Sequence, residues 1–232
     1  LPPLEEQRRI VAKLDRAFQA LTRARTLAEA NLADAEALFD SWLQKEFQTE
    51  AEDWPSKYLS DICENLDRAR VPITKKDRQP GEVAYYGASG VVDHVADFIF
   101  DDELLLISED GANLLARTYP IAFSISGKSW VNNHAHVLKF DNLNTQEFVR
   151  LYMNSISLEP YVSGMAQPKL NQKSLNQIPI PFPDLGTQTR IVAAASTVSS
   201  KAQEARTHYA RQLTDIADLR QTLLQKAFSG QL

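Results

Sequence analysis

The stretch Leu1-Pro-Pro-Leu-Glu-Glu-Gln-Arg-Arg-Ile-Val-Ala12 returns, altered but in step, as Phe182-Pro-Asp-Leu-Gly-Thr-Gln-Thr-Arg-Ile-Val-Ala193. Pro2, Leu4, Gln7, Arg9, Ile10, Val11 and Ala12 recur as Pro183, Leu185, Gln188, Arg190, Ile191, Val192 and Ala193, at a constant offset of 181 (191 minus 10). Without a gap, Leu43, Gln44, Lys45 and Phe47 recur as Leu224, Gln225, Lys226 and Phe228. Shared Leu and Ala positions can arise from composition alone. Shared Pro, Gln and Arg positions at both ends of a segment mark a duplication, and this one brackets a region of different character.

Each copy has the pattern of one long helix. The first carries apolar residues at Ile10, Leu14, Ala17, Leu21, Ala24, Ala28, Leu32, Ala35, Leu38, Trp42 and Leu43. The second carries them at Ile191, Ala195, Val198, Ala202, Ala205, Leu213, Ile216, Leu219 and Leu223. Steps of three and four put each set on one face. Neither run holds an internal Pro or Gly, and each follows a Pro-bearing segment that sets its start. About forty residues rising ~1.5 Å each make a rod of roughly 60 Å. The first helix would enter the middle region by its C-terminal end, and the second would leave it from its N-terminal end. Packed stripe to stripe, they run antiparallel as a two-helix coiled coil. The competing reading packs each stripe on its own domain core; the length of both favours the rod. The second helix lacks acids where Glu5 and Glu6 stand in the first, having Gly186 and Thr187, so its start is expected to be less well charged for its dipole.

Composition is ordinary for a globular chain, with 44% hydrophobic and 24% charged residues among 232. No apolar run approaches a membrane span and no signal-peptide pattern opens the chain. A lone Cys63 cannot close an internal disulfide, so a reducing, cytoplasmic setting is expected. The first residues read as the middle of a longer chain. The net charge of -5 sits awkwardly with nucleic-acid binding, which calls for basic surface. From Trp54 to Ala116 there are six Lys/Arg against twelve Asp/Glu; from Arg117 to Leu175 there are six against three. Any DNA face is therefore expected mainly from the second stretch.

Between the repeats, residues 54–181 change character, giving the division 1–53, 54–181 and 182–232. Turn signals appear at Gln79-Pro80-Gly81, Gly87-Ala-Ser-Gly90, Asp110-Gly111 and Ser126-Gly127-Lys128. Strand-like runs lie at Glu82–Tyr86, Asp97–Phe100, Leu104–Ser108, Ile121–Ile125 and Ala135–Phe140. Gln146–Ile156 is helical in pattern, and Ser174–Ile178 could form a further short helix. The expected class is α+β: a β-rich domain flanked by two long helices in an antiparallel coiled coil.

Several segments are polar where the pattern predicts structure. Trp130-Val-Asn132-Asn133-His134-Ala-His136 runs into a strand, and Gln167-Pro-Lys169-Leu-Asn171-Gln-Lys173 carries amines and amides with no acid. Such side chains match base edges and phosphates, so Trp130, Asn132, Asn133, His134, His136, Gln167, Lys169, Asn171 and Lys173 are the candidate DNA contacts. The competing readings are turn asparagines, a core tryptophan and a solvated loop. His134 and His136, two apart on a strand, would share a face and could ligate zinc, but no Cys or third His lies nearby, so no metal is assigned. Glu109-Asp110-Gly111 could hold a metal for phosphodiester cleavage, yet a nuclease's further Lys and acid are missing. A tight turn with Gly111 at positive φ is the better reading. No cofactor loop, P-loop or catalytic triad spacing is present, and no cofactor is expected.

Together these residues resemble a known family. Leu-Pro-Pro-Leu-Glu-Glu-Gln-Arg-Arg-Ile-Val at 1–11 and Ile-Pro-Ile-Pro-Phe-Pro-Asp-Leu at 178–185 are similar to the conserved regions of type I restriction-modification specificity (S) subunits. Tyr85–Asp93, Glu109–Asn113, Trp130–His136 and Gln167–Gln172 resemble one type of target-recognition domain. The resemblance implies a C-terminal half: conserved helix, target-recognition domain, conserved helix. It implies a non-catalytic subunit that reads one half of a bipartite double-stranded DNA site and scaffolds modification methyltransferase subunits, with a restriction/translocase subunit joining indirectly and no membrane involved. The helices would space the half-sites, so lengthening both by one turn would shift spacing and leave the half-sequences alone. Alternatives of the same chemistry are a self-associating, homodimeric half-subunit or the specificity module of a fused restriction-methylation enzyme. Alternatives of other classes are a helical protein-interaction scaffold without DNA reading, and a nuclease using Glu109 and Asp110.

Overall fold

The computed structural model describes residues 3–49, 54–164 and 167–231. The chain divides into two compact units, one of residues 1–42 with 195–232 and one of residues 43–194.

In the first unit, α1 (Leu4–Thr49) and α6 (Leu185–Phe228) supply the helical stretches. The guanidinium of Arg220 lies 5.2 Å from the Phe18 ring centroid, so the start of one helix lies beside the end of the other and the two run antiparallel. Ala28, Ala35 and Ala202 are buried along the seam; small side chains let the backbones approach closely. Three expected seam positions, Ala24, Leu38 and Leu219, are exposed, and the half-buried Phe39 stands next to the exposed Leu38. A drift of one position is what a straight 3.6-residue helix accumulates against a 3.5-residue repeat.

The second unit is layered. One sheet has the order β4 (Gly90–Val95), β3 (Pro80–Gly87), β8 (Lys128–Val131), β5 (Phe100–Asp101), with β3 and β8 parallel. The other has β2 (Glu64–Asn65), β9 (Ala135–Lys139), β6 (Leu104–Ser108), β7 (Ala122–Ile125), all antiparallel. Phe100, Leu104, Leu106, Ile125, Val131, Ala135 and Val137 form a core fed by both sheets. The alternate row on β6, Leu105 and Ile107, is equally buried, because α4 (Leu143–Ser155) packs on β6 and β7 from the other side. Burial on both faces is why Leu104–Ser108 is a continuous apolar run with no alternation. Each such side chain contributes ~1.5–3 kcal/mol relative to exposure. A short pair, β1 (Ser56–Tyr58) with β10 (Pro179–Pro181), brings the domain's two ends together. Brief helices α2 (Leu59–Ile62), α3 (Asn113–Ala116) and α5 (Gln172–Leu175) complete it.

Roots of both long helices lie in this unit. Leu43 and Phe47 of α1 are buried, with the Phe47 ring edge-on to Phe148 (5.4 Å) and Tyr152 (5.2 Å) of α4. Gln188 and Ile191 of α6 are buried too, and Thr145 of α4 donates to Gln188 Oε1 at 2.8 Å. The start of α6 is not short of charge as expected. Asp184, immediately before it, accepts from the backbone N–H of Gly186 and Thr187 and from the Thr187 hydroxyl. Those bonds hold its carboxyl below the ordinary value, so the carboxylate sits at the cap instead of in the first turn.

Candidate nucleic-acid interface

Three polar stretches far apart in the chain converge on the Glu109-Asp110-Gly111 loop that follows β6. Leu170 N donates to Glu109 O (2.8 Å) and Gly111 N to Pro168 O (3.0 Å), so the 167–173 segment runs beside this loop. Glu109 N donates to His134 O (2.9 Å), which attaches the turn before β9. Ser108 Oγ donates to Ala88 O and Asn132 N to Tyr86 O (3.0 Å), which attach the β3–β4 hairpin turn. Gly111 has φ 107°, a conformation that favours glycine.

A buried ionic network holds the loops from beneath. Arg70 Nη1 donates to Glu109 Oε2 and to Ala135 O, each at 2.6 Å, and its Nη2 lies 3.5 Å from Asp67 Oδ2. His136, 1% exposed, faces Asp67 Oδ2 through Nδ1 (2.6 Å) and Leu170 O through Nε2 (2.8 Å). Each ring nitrogen thus faces an oxygen. Asp67 also accepts from Val137 N at 2.9 Å. Burial works to raise the Asp67 carboxyl, but the bond and charge of His136, the Val137 N–H and Arg70 outweigh it and hold it below the ordinary value. Glu109 is likewise lowered, burial being overcome by Arg70, Lys169 and the charge of His136. Lys169 Nζ, half exposed, lies 3.1 Å from Glu109 Oε1 and carries the network to the surface.

Ligand atoms of Asp67, Glu109 and His136 lie within 4.8 Å of one another, a spacing a metal could use. Their lone pairs and N–H groups are already engaged with Arg70, Lys169, Val137 and Leu170, and the guanidinium supplies the positive charge. The arrangement is an ion-pair lock. Glu109 and Asp110 do not act together as a nuclease pair would: Glu109 turns inward to Arg70, and Asp110 pairs with His134.

The expected contacts separate into two sets. Asn133, His134, Gln167, Lys169 and Lys173 are exposed in the converging loops. Asn171 accepts from Ser174 N as the cap of α5, and Trp130 donates from its indole to Val71 O at 2.7 Å. Asn132 is 7% exposed and accepts from His134 N, so with the buried His136 it supports the surface and does not reach it. The expected shared face of His134 and His136 is corrected: His134 lies in the turn before β9, half exposed, while His136 points into the network.

Asp67 and Arg70 were not legible as site residues, because halving the domain by charge hides their surroundings. Five of the six Lys/Arg between Trp54 and Ala116 fall in Arg68–Arg78 (Arg68, Arg70, Lys75, Lys76, Arg78). That local run was the available signal. Arg68, Lys75 and Lys76 are exposed, and Arg78 pairs with Asp93 (2.9 Å) over the Tyr85 ring.

Residues 51–208 match the family model for the type I restriction modification DNA specificity domain, and the chain belongs to that family. It is 32% identical over 164 residues to a Haemophilus influenzae protein named as a type I restriction enzyme specificity subunit, S.HindORF215P, covering 71% of this chain and 42% of that one. The fold is shared with a structure described as concerning complex assembly and conformational transition of the type I R-M system (TM-score 0.77, 21% identity, 100% of this chain and 61% of that one). It is shared also with the HsdS subunit of Thermoanaerobacter tengcongensis (TM-score 0.67, 23% identity, 100% and 60%). The chain thus spans less than two thirds of these relatives. No helix among the described residues is long and apolar enough to cross a membrane.

Proposed function

We propose that this chain is the half of a non-catalytic, cytoplasmic specificity subunit that reads one part of a bipartite double-stranded DNA site. Residues 54–181 read the sequence and meet the DNA through Asn133, His134, Gln167, Lys169 and Lys173, with Trp130 and Asn171 alongside and the two lysines suited to phosphates. The flanking helices, 1–53 and 182–232, space the two halves and scaffold methyltransferase subunits, which a restriction/translocase subunit joins.

One observation carries the bipartite reading. Leu43, Phe47, Gln188 and Ile191 form the seat of the described domain and are 0–7% exposed. Their repeat equivalents are Leu224, Phe228, Gln7 and Ile10. Phe228 is 90% exposed and Leu224 36%, while Gln7 and Ile10 are half-buried. With Phe18 beside Arg220 and the helices antiparallel, Ile10 and Phe228 fall at matching heights of the first unit. The repeat therefore provides a second seat of the same chemistry, fitted to a second domain with an aromatic helix face like that of α4. This domain can come from the same subunit or from a second copy, and the mass of the assembled specificity component separates the two.

The test exchanges residues 54–181 for the equivalent domain of a relative in the full subunit, co-expressed with its methyltransferase, and maps modified bases in the host genome. One half of the modified motif is expected to change while the other half and the spacer stay. An unchanged motif would show that the domain does not read DNA and would favour the helical scaffold.

A further inference from the structure

The exposed crown of the loops presents an Asp–His pair that the ion-pair lock does not use. His134 Nδ1 lies 2.8 and 3.0 Å from the two carboxylate oxygens of Asp110. A carboxylate only accepts here, so Nδ1 carries the proton and the pair is a fixed donor–acceptor unit. The side chains are 51% and 31% exposed. Their backbones are pinned: His134 by its N–H to Asn132 Oδ1 and its carbonyl to Glu109 N, Asp110 by its bridge to Lys169. Among the described residues, the carboxylate's hydrogen-bond partner is His134, not a backbone N–H of the Gly111 turn.

A carboxylate at this position is out of keeping with its neighbours. Lys169 and Lys173 suit phosphates; phosphate oxygens, being anionic acceptors, repel Asp110 and offer it nothing to bind. Base edges differ. In the major groove the donors are the exocyclic amino groups of adenine (N6) and cytosine (N4), and an acidic side chain is their natural acceptor. Base-reading groups also need a supporting shell that locks their geometry, which His134 and the network beneath supply.

We propose, resting on the DNA-reading function above, that Asp110 is a specificity-determining residue that accepts a hydrogen bond from the exocyclic amino group of an adenine or cytosine, with His134 as its positioning residue. The half-site read by this domain then contains one position restricted to an amino-bearing base.

The experiment uses the full subunit with its methyltransferase in the host, comparing modified-base maps and DNA binding for Asp110→Asn, His134→Ala and Lys169→Gln. Asp110→Asn, which adds a donor, is expected to relax one base position and lower affinity for the cognate base roughly five- to 150-fold. His134→Ala is expected to relax the same position to a smaller degree. Lys169→Gln should weaken binding evenly and keep the motif. An intact motif in both Asp110→Asn and His134→Ala overturns the proposal. So does an even loss of modification at all sites, or a collapse of thermal stability in Asp110→Asn, since either marks a structural role. Failure of the wild-type subunit to direct any sequence-restricted modification would instead refute the DNA-reading function itself.

Discussion

The two copies of the repeat share sequence but not environment. At the root of the domain, Leu43, Phe47, Gln188 and Ile191 are buried, Phe47 and Gln188 against α4; the counterparts Leu224 and Phe228 stand exposed. The conserved letters thus encode a seat, and burial reveals which seat is filled here. Arg190 pairs with Glu46 at the filled seat (3.4 Å), whereas its counterpart Arg9 pairs with Glu6 one turn away. The counterpart of Glu46 is Ala227, so that ion pair is not duplicated.

The largest expected effects lie at the filled seat and the lock above it. Phe148→Ala removes the aromatic face that meets Phe47 and should cost ~3–5 kcal/mol in denaturant unfolding. Arg70→Ala leaves Asp67 and Glu109 buried without their guanidinium and should cost a similar ~3–5 kcal/mol, while also loosening the 167–173 segment in hydrogen exchange. A cost below about 1 kcal/mol for Arg70→Ala would mean the lock does not organise the loops.

The lock also sets an acid limit. Asp67 and Glu109 have folded-state values below their unfolded ones, so the stability they contribute is present above the unfolded carboxyl range, near pH 4, and is lost as pH falls through the lowered values. Unfolding free energy should therefore drop below about pH 4, and Asp67→Asn should flatten that fall. A smaller effect is expected from Thr145→Val, which strips Gln188 Oε1 of a buried donor and should cost ~1–3 kcal/mol. The smallest is Phe228→Ala at the exposed seat: within ~0.5 kcal/mol for this chain, yet destabilising once a second domain is docked. Equal effects in both settings would deny that the seat is used.

The long helices, their direction and the main buried strands are legible in sequence because periodicity and repetition are local signals. The α4 helix is legible too, through Phe148, Leu151 and Tyr152. The β4 and β8 strands are not: Gly90-Val-Val-Asp-His-Val95 follows a Gly-rich turn, and Lys128-Ser-Trp-Val131 is short and opens on a polar residue. Asp97–Phe100 yields strand only at Phe100–Asp101, after a stretch exposed at Asp97 and Phe98. The polar stretches of the converging loops are each legible in sequence, but their meeting at Glu109 depends on long-range pairing. Asp67 and His136 lie sixty-nine residues apart (136 minus 67), and no spacing rule links them. Polarity alone also cannot tell a surface Asn133 from a buried Asn132.

On the proposed function, the domain reads sequence while the helices set distance. Inserting one heptad in α1 and one in α6, at matched heights of the first unit, preserves the apolar stripe and lengthens each rod by ~10 Å, about three base pairs of DNA. In the full subunit with its methyltransferase, the modified-base map should then show both half-sequences unchanged and the unread spacer longer by about three. A spacer of the original length, or an altered half-sequence, would contradict the account.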